Sequence, residues 1–229
     1  MERVAGDLAR ETIVRTAWFI GILAVALFLP ALTLAWWQAW VYLAAFSASC
    51  IVSTAYFLKH DPALVARRLR AGPQAEKEPT QKVIQTVMAG TFILLFVFPG
   101  LDRLFGWSRV PAWISLAADL GVVIGFVIIF YVFKANSFAA STIEIGDQQR
   151  VVTTGPYAIV RHPMYAGALL MLASTPLALG SWWGLLLIVP VVGALAWRLI
   201  DEERFLVANL PGYAAYRGQT RYRLVPGLW

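Results

Sequence analysis

The chain has 229 residues, of which 59% are hydrophobic and only 14% charged, with a formal net charge of +6. Soluble domains carry about 25% charged residues, and roughly 20 consecutive apolar residues suffice to cross a bilayer, so an ordinary soluble domain is excluded. In such a chain the positive charge marks one face of a membrane rather than a nucleic-acid partner.

Residues 1–15 mix Glu2, Asp7 and Glu11 with Arg3, Arg10 and Arg15, a charged amphipathic lead. It lacks the short basic region and small-residue cleavage site of a signal peptide, so the first span is expected to stay on the protein. Thr16 to Leu58 then contains no Asp, Glu, Lys or Arg. Pro30 and the Trp36–Trp37–Gln38 cluster divide that run into spans at about 16–35 and 37–58. Its Cys50 is the single cysteine, which excludes an intrachain disulfide and a cysteine-based zinc site. Lys59 to Lys82 reads as a basic loop with Pro and Gly, where His60 opens an ordinary His-Asp-Pro turn.

The third and fourth spans are expected at about 83–101 and 112–133. Asp119 lies inside the fourth; an intramembrane carboxylate is costly, and here a structural hydrogen bond is expected for it. In the joining loop Lys134 to Pro163, Ser141–Ile145 and Arg150–Thr153 alternate around Gly146–Asp147, which predicts a small β-hairpin. Two short segments follow, 164–181 and 183–199, broken by Ser181–Trp182–Trp183–Gly184. They form a short helical hairpin that is tilted or does not fully cross. The last helix should run on to Leu210, where Pro211–Gly212 stops it. The expected fold is an all-α integral membrane protein in a single domain, 1–229. It has about five to six transmembrane helices, a cytoplasmic β-hairpin or loop, and a C-terminal helix or tail.

Orientation follows from the basic residues. With the amino terminus inside, all but Arg103 and Arg109 of the 19 Lys and Arg fall on inner segments, the positive-inside pattern. Both termini are then cytoplasmic, in a bacterial inner membrane or an ER-like membrane. Trp36, Trp37, Trp40, Trp107, Trp113, Trp182 and Trp183 fall at the outer boundary, where amphipathic rings prefer to sit.

Three inner segments carry the residues for chemistry. Arg161–His162–Pro163 opens the fifth segment, with Tyr165 on the same first turn and Gly167 allowing close approach. A helix start favours an anion; an interface anchor of Arg and Tyr is the alternative. Asp201–Glu202–Glu203–Arg204 emerges from the last span. It reads either as a solvated face, with Arg198 and Glu202 paired at i,i+4, or as carboxylates at the mouth of a pocket. The aromatic and basic tail from Leu210 to Trp229 also suits a membrane surface. Two histidines without a cysteine cluster predict no metal site. No Walker loop and no GxGxxG after a strand is present.

Taken together, "NSFAASTIEI", "VVTTGPYAIVRHPMYAG", the short hairpin, "DEERFL", "LPGYAAY" and "RYRLVPGLW" resemble the isoprenylcysteine carboxyl methyltransferase and phospholipid methyltransferase group of membrane enzymes. The resemblance runs from Asn136 to Trp229. It implies a methyltransferase core over 134–229, following N-terminal spans and a basic loop in 1–110, with S-adenosylmethionine (SAM) as methyl donor at the cytoplasmic face. It implies cofactor contacts from Gly155, Pro156, Tyr157, Arg161, His162, Tyr165, Glu202 and Glu203, and catalytic roles for Tyr165, Glu203 and Arg221. Gln219 stands where prenylcysteine-type members tend to carry an arginine, for which Arg221 or Arg223 would substitute. The implied partner is a lipophilic or lipidated acceptor entering from the bilayer, an isoprenylcysteine-like carboxylate or a phospholipid or isoprenoid group; methylation of a small thiol is an alternative. The competing class is a non-catalytic transporter or assembly protein. Transporters place polar, broken helices near the midplane, whereas here the polar residues gather at one face.

Overall fold

The computed structural model describes residues 2–69, 79–138 and 150–229. Eight α-helices follow in chain order: α1 Glu2–Ala31, α2 Trp37–His60, α3 Pro62–Leu69, α4 Pro79–Phe105, α5 Ala112–Ala135, α6 Pro163–Ala178, α7 Ile188–Asn209 and α8 Tyr213–Gln219. Short 3-10 turns at Gly155–Ala158 and Trp183–Leu187 precede α6 and α7. Among the described residues, five helical segments are long and apolar enough to cross a membrane. The protein is an all-α integral membrane protein.

The composition of the spans explains this arrangement. Without water in the bilayer core, backbone polar groups must be satisfied within the chain, so apolar segments cross as helices. Their outward sides are apolar too: Trp18, Ile22, Val25 and Leu29 of α1 are exposed and lipid-facing. Leu27, Trp36, Tyr42, Phe96, Val122 and Leu179 pack inside. Successive helices alternate in direction. At one end, Asp102 in the last turn of α4 accepts from the Ser108 amide at 2.7 Å and Oγ at 2.6 Å, and from Ser181 Oγ. This ties the α4–α5 turn to the α6–α7 turn. At the other end, Gln81 at the start of α4 bonds Arg198 and Asp201 near the end of α7.

The tightest approach is between α5 and α6. Gly121 and Gly125 form a small-xxx-small stripe on α5, the pattern that lets membrane helices close on each other. A Cβ on Gly125 would lie 2.7 Å from the Gly167 carbonyl oxygen and 2.8 Å from Met171 Cβ. Gly167 therefore admits α5, not a ligand.

Several expectations change. The Lys59–Lys82 loop contains α3, started by Asp61 Oδ1, which accepts the Leu64 amide at 2.9 Å, and by Pro62 at the first position. The last helix ends at Asn209, as its expected stop at Pro211–Gly212 requires, but its candidate span, Trp183–Asn209, is 27 residues long rather than ending at 199. The helix continues through Arg198 because that side chain finds buried polar partners. The short member of the hairpin is α6, with 16 residues. Trp36 packs into the core, 1% exposed, while the other boundary tryptophans are exposed as a girdle. Asp119 is buried, but neither of its oxygens has a hydrogen-bond partner among the described residues, and Ser115 Oγ one turn earlier is likewise unpaired. Most of the expected β-hairpin, residues 139–149, lies outside the described residues. Val151–Thr153 is irregular, and no strand occurs among the described residues.

Replacing Gly125 with Val should force α5 and α6 apart and cost about 1–3 kcal/mol, the usual penalty of overpacking. Gly90→Ala is the control, since its Cβ would meet nothing within 4 Å. Thermal unfolding in detergent should show a lower midpoint for Gly125→Val alone; equal midpoints would contradict this packing.

Candidate functional site

The two sequence motifs, on α6 and α7, meet at one carboxylate. Glu203, 3% exposed near the end of α7, accepts from Arg161 Nε at 2.5 Å on Oε1 and from Arg223 Nε at 3.0 Å on Oε2. His162 Nε2 lies 3.3 Å from the same Oε1. Glu203 thus joins the entry to α6, the end of α7 and the tail.

Arg161 binds the tail further. Its Nη1 donates to the carbonyls of Thr220 at 2.8 Å and Arg221 at 2.7 Å. The amides of Arg161 and His162 donate to Tyr222 and Arg223 carbonyls, both at 2.9 Å. These groups are therefore committed within the protein. Arg161, which the resemblance assigns to the cofactor, also holds the tail. The tail closes on itself as well, with the Arg223 and Leu224 amides donating to the Trp229 carbonyl oxygen.

A second chain of contacts runs beside the first. The Tyr165 hydroxyl donates to Glu202 and accepts from Arg198 Nε at 2.9 Å. Arg198 Nη1 donates to Gln81 Oε1 at 3.0 Å, and Gln81 in turn donates to Asp201. The His162 and Tyr165 rings stack, with centroids 5.7 Å apart and planes at 12°. Both rings are buried, while Glu202 is half-buried.

Gly155 takes φ +61, a left-handed conformation that suits glycine, and Pro156 continues into the 3-10 turn. That turn presents Tyr157, whose hydroxyl accepts from Asn136 Nδ2 at 3.0 Å and whose carbonyl accepts from the Tyr216 hydroxyl at 2.7 Å. Burial pushes the Tyr157 phenol up, against the Asn136 contact and with the nearby Glu202 charge. Tyr216 is pushed up to about 12, mainly by burial, so it stays a neutral donor. Burial first, then the charges of Glu203 and Glu202, raise Tyr213 as well. The Tyr213 hydroxyl is buried beside those acids with no hydrogen-bond partner among the described residues.

The structure therefore brings Tyr157, Arg161, His162, Tyr165, Glu202 and Glu203 together. Arg221 contributes only its carbonyl, because its side chain is exposed. Sequence reasoning missed Gln81, Asn136 and Thr220; it named Arg198 only as a partner of Glu202, and Tyr213 only as part of the tail. Tyr213 had a signal: it follows Pro211–Gly212, and Gly212 at φ +87 turns the chain into α8. Gln81 had none, since a lone glutamine at the edge of a basic loop looks solvated.

The fold and this cluster define a multi-pass membrane protein with a dense polar site at one end of its helices. Residues 113–211 match the family described as phospholipid methyltransferase, which belongs to the isoprenylcysteine carboxyl methyltransferase and phospholipid methyltransferase group of membrane methyltransferases. The matched segment starts in α5 and stops before the tail. The chain is also similar to the cobalt-zinc-cadmium resistance protein CzcN of Cupriavidus metallidurans, 31% identical over 138 residues, covering 57% of this chain. The matched region spans 60% of that relative's length.

Removing the Glu203 carboxylate leaves two arginines and a histidine facing one another in a buried site. Breaking a buried pair this way costs about 3–5 kcal/mol. Glu203→Ala should lower thermal stability by that order and release the tail, read as faster tryptic cleavage after Arg223. Unchanged cleavage would mean that the tail is held elsewhere.

Proposed function

We propose that the protein is a SAM-dependent methyltransferase acting on a lipophilic acceptor at the cytoplasmic face. The carrying observation is the meeting of Arg161–His162–Tyr165 with Glu202–Glu203 under the tail, in a segment that matches a family of membrane methyltransferases. The donor set suits SAM. The unpartnered Tyr213 hydroxyl beside the two acids is a buried polar group in need of a partner. Glu202, held on one oxygen by Tyr165, would take the ammonium or the ribose hydroxyls, and Tyr213 would donate to the carboxylate or ribose. The stacked His162 and Tyr165 rings, with Tyr157, offer aromatic faces to adenine or the sulfonium.

When bound, SAM supplies an electrophilic methyl group on a sulfonium. The chain's own contribution is positional. Tyr165 is fixed from both sides, by Arg198 and Glu202, so it orients the reacting region without moving. The tail, clamped by Arg161, covers the cluster and excludes water. Glu203 and Arg161 act as positioning residues, because their donors and acceptors are spent on each other and on the tail.

The 134–229 core would do the chemistry, and residues 1–110 would supply the spans beside it. With six alternating helices, α6 included, both termini share one side. The basic asymmetry makes that side cytoplasmic. A reporter active only outside the cytoplasm, fused to the carboxy terminus, should stay silent; activity would reverse the topology. The relative's name concerns cobalt, zinc and cadmium resistance.

The decisive experiment adds purified protein and methyl-labelled SAM to membranes and follows label into extracted lipids and proteins. Calorimetry with S-adenosylhomocysteine should then show binding weakened by about 1–3 kcal/mol in Glu202→Gln and in Tyr213→Phe, each having lost a polar partner of the ligand. Wild-type affinity in both variants would remove these residues from the site.

A further inference from the structure

Away from the Glu203 cluster, α1, α2, α3 and α5 line a half-open apolar cavity of about 260 Å³. Its wall includes Thr16 of α1, Cys50 of α2, Leu64 and Arg68 of α3, and Phe130 and Phe133 of α5. Among the described residues Arg68 is its one charged lining residue; no Asp or Glu contributes.

Arg68 is placed unlike the arginines of the cluster. Arg161 and Arg223 share Glu203. Arg68 instead donates Nη1 to Met164 Sδ at 3.8 Å and lies 4.5 Å from the Phe133 ring centroid. Among the described residues it has no carboxylate partner. A thioether and a ring face are weak partners for a guanidinium that keeps its proton at any ordinary pH. Burial works against its charge, and nearby Tyr165 works in favour of it. A half-buried cation facing an apolar chamber is complementary to an anion tethered to an apolar chain. Met164 follows His162–Pro163 directly, so Arg68 stands where the cavity meets the start of α6.

We propose that this cavity holds the single apolar chain of a bilayer-resident amphiphile whose anionic head pairs with Arg68. The assignment rests on the methyltransferase reading in taking that amphiphile as the methyl acceptor, and it places the contact to the acceptor's head at Arg68, ahead of residues 113–211, while Phe130 and Phe133 of that segment share the wall. The volume favours one chain over two, since it lies just below the roughly 300–1,000 Å³ of pockets for drug-sized ligands. Cationic amphiphiles are disfavoured by Arg68. The Arg221 side chain, exposed on the tail, takes no part.

Cys50 reports occupancy directly, because it is the chain's single cysteine and lines the cavity. The full-length protein, in phosphatidylcholine nanodiscs at alkaline pH, is alkylated with N-ethylmaleimide in the presence of dodecanoate, dodecyl phosphate, dodecanol or dodecyltrimethylammonium. At least one anion should slow alkylation roughly fivefold or more, as expected at several times its dissociation constant, and the alcohol and the cation by less than about twofold. The stronger of the two anions identifies the head as carboxylate or phosphate. Arg68→Ala should abolish the advantage of the anions, and Arg68→Lys should retain part of it. Equal protection by the alcohol, protection by neither anion, or full anion protection in Arg68→Ala would overturn the proposal. The wild-type comparison does not depend on how a variant folds. Binding of S-adenosylhomocysteine is measured on the same nanodiscs. Protection without that binding removes the methyltransferase reading and keeps the anion site; binding without protection does the reverse.

Discussion

Glu203 is the contact on which the functional end of the molecule depends. A carboxylate almost wholly removed from water is costly unless its oxygens are filled by charged donors. Here Arg161 and His162 fill one oxygen and Arg223 the other. These donors come from the entry to α6 and from the tail, while the acceptor sits on α7. The three segments therefore stabilise one another jointly. Arg161 extends the arrangement by holding two tail carbonyls, so the tail follows the same carboxylate into place.

This arrangement divides the polar residues into two groups. One group is consumed by architecture: Arg161, Glu203 and Arg223, with Gln81, Asp201 and Arg198 as a second brace between α4 and α7. The other is less fully engaged among the described residues. Glu202 is half-buried, Tyr213 has an unpartnered hydroxyl, and the His162 and Tyr165 rings stack in a buried face. Neighbouring acids thus have different tasks. Successive residues on a helix project in directions roughly 100° apart, so Glu203 turns into the Arg161 side while Glu202 turns toward Tyr165.

The bundle sets the depth of the site. α6 has 16 residues, about 24 Å of helix, against the roughly 30 Å thickness of a hydrocarbon core. Its polar start can therefore sit close to the hydrocarbon boundary while its far end reaches the Asp102–Ser108–Ser181 network. The glycine contact with α5 keeps this short helix in register, because neither Gly125 nor Gly167 leaves room for a side chain. At the same boundary α3 brings Arg68 to Met164, joining the N-terminal helices to the start of α6.

The sequence by itself determined the membrane class, the helical spans and the side on which polar residues gather. Each of these depends on local composition: long uncharged runs, charges at their ends, and tryptophans at the opposite boundary. It also named most of the cluster, since Arg161, His162, Tyr165, Glu202 and Glu203 belong to motifs that resemble a known group. Only the tertiary structure decided what each does, because a hydrogen-bond partner is set by helix packing across dozens of residues. Glu203 pairs with Arg161 and Arg223, Glu202 accepts from Tyr165, and the Arg221 carbonyl accepts from Arg161. Helix α3 was hidden because its proline and charges suggested a loop, although Asp61 and Pro62 supplied a helix start. The end of α7 was legible from Pro211–Gly212, but the burial of Arg198 was not, since Gln81 and Tyr165 reach it from elsewhere in the fold.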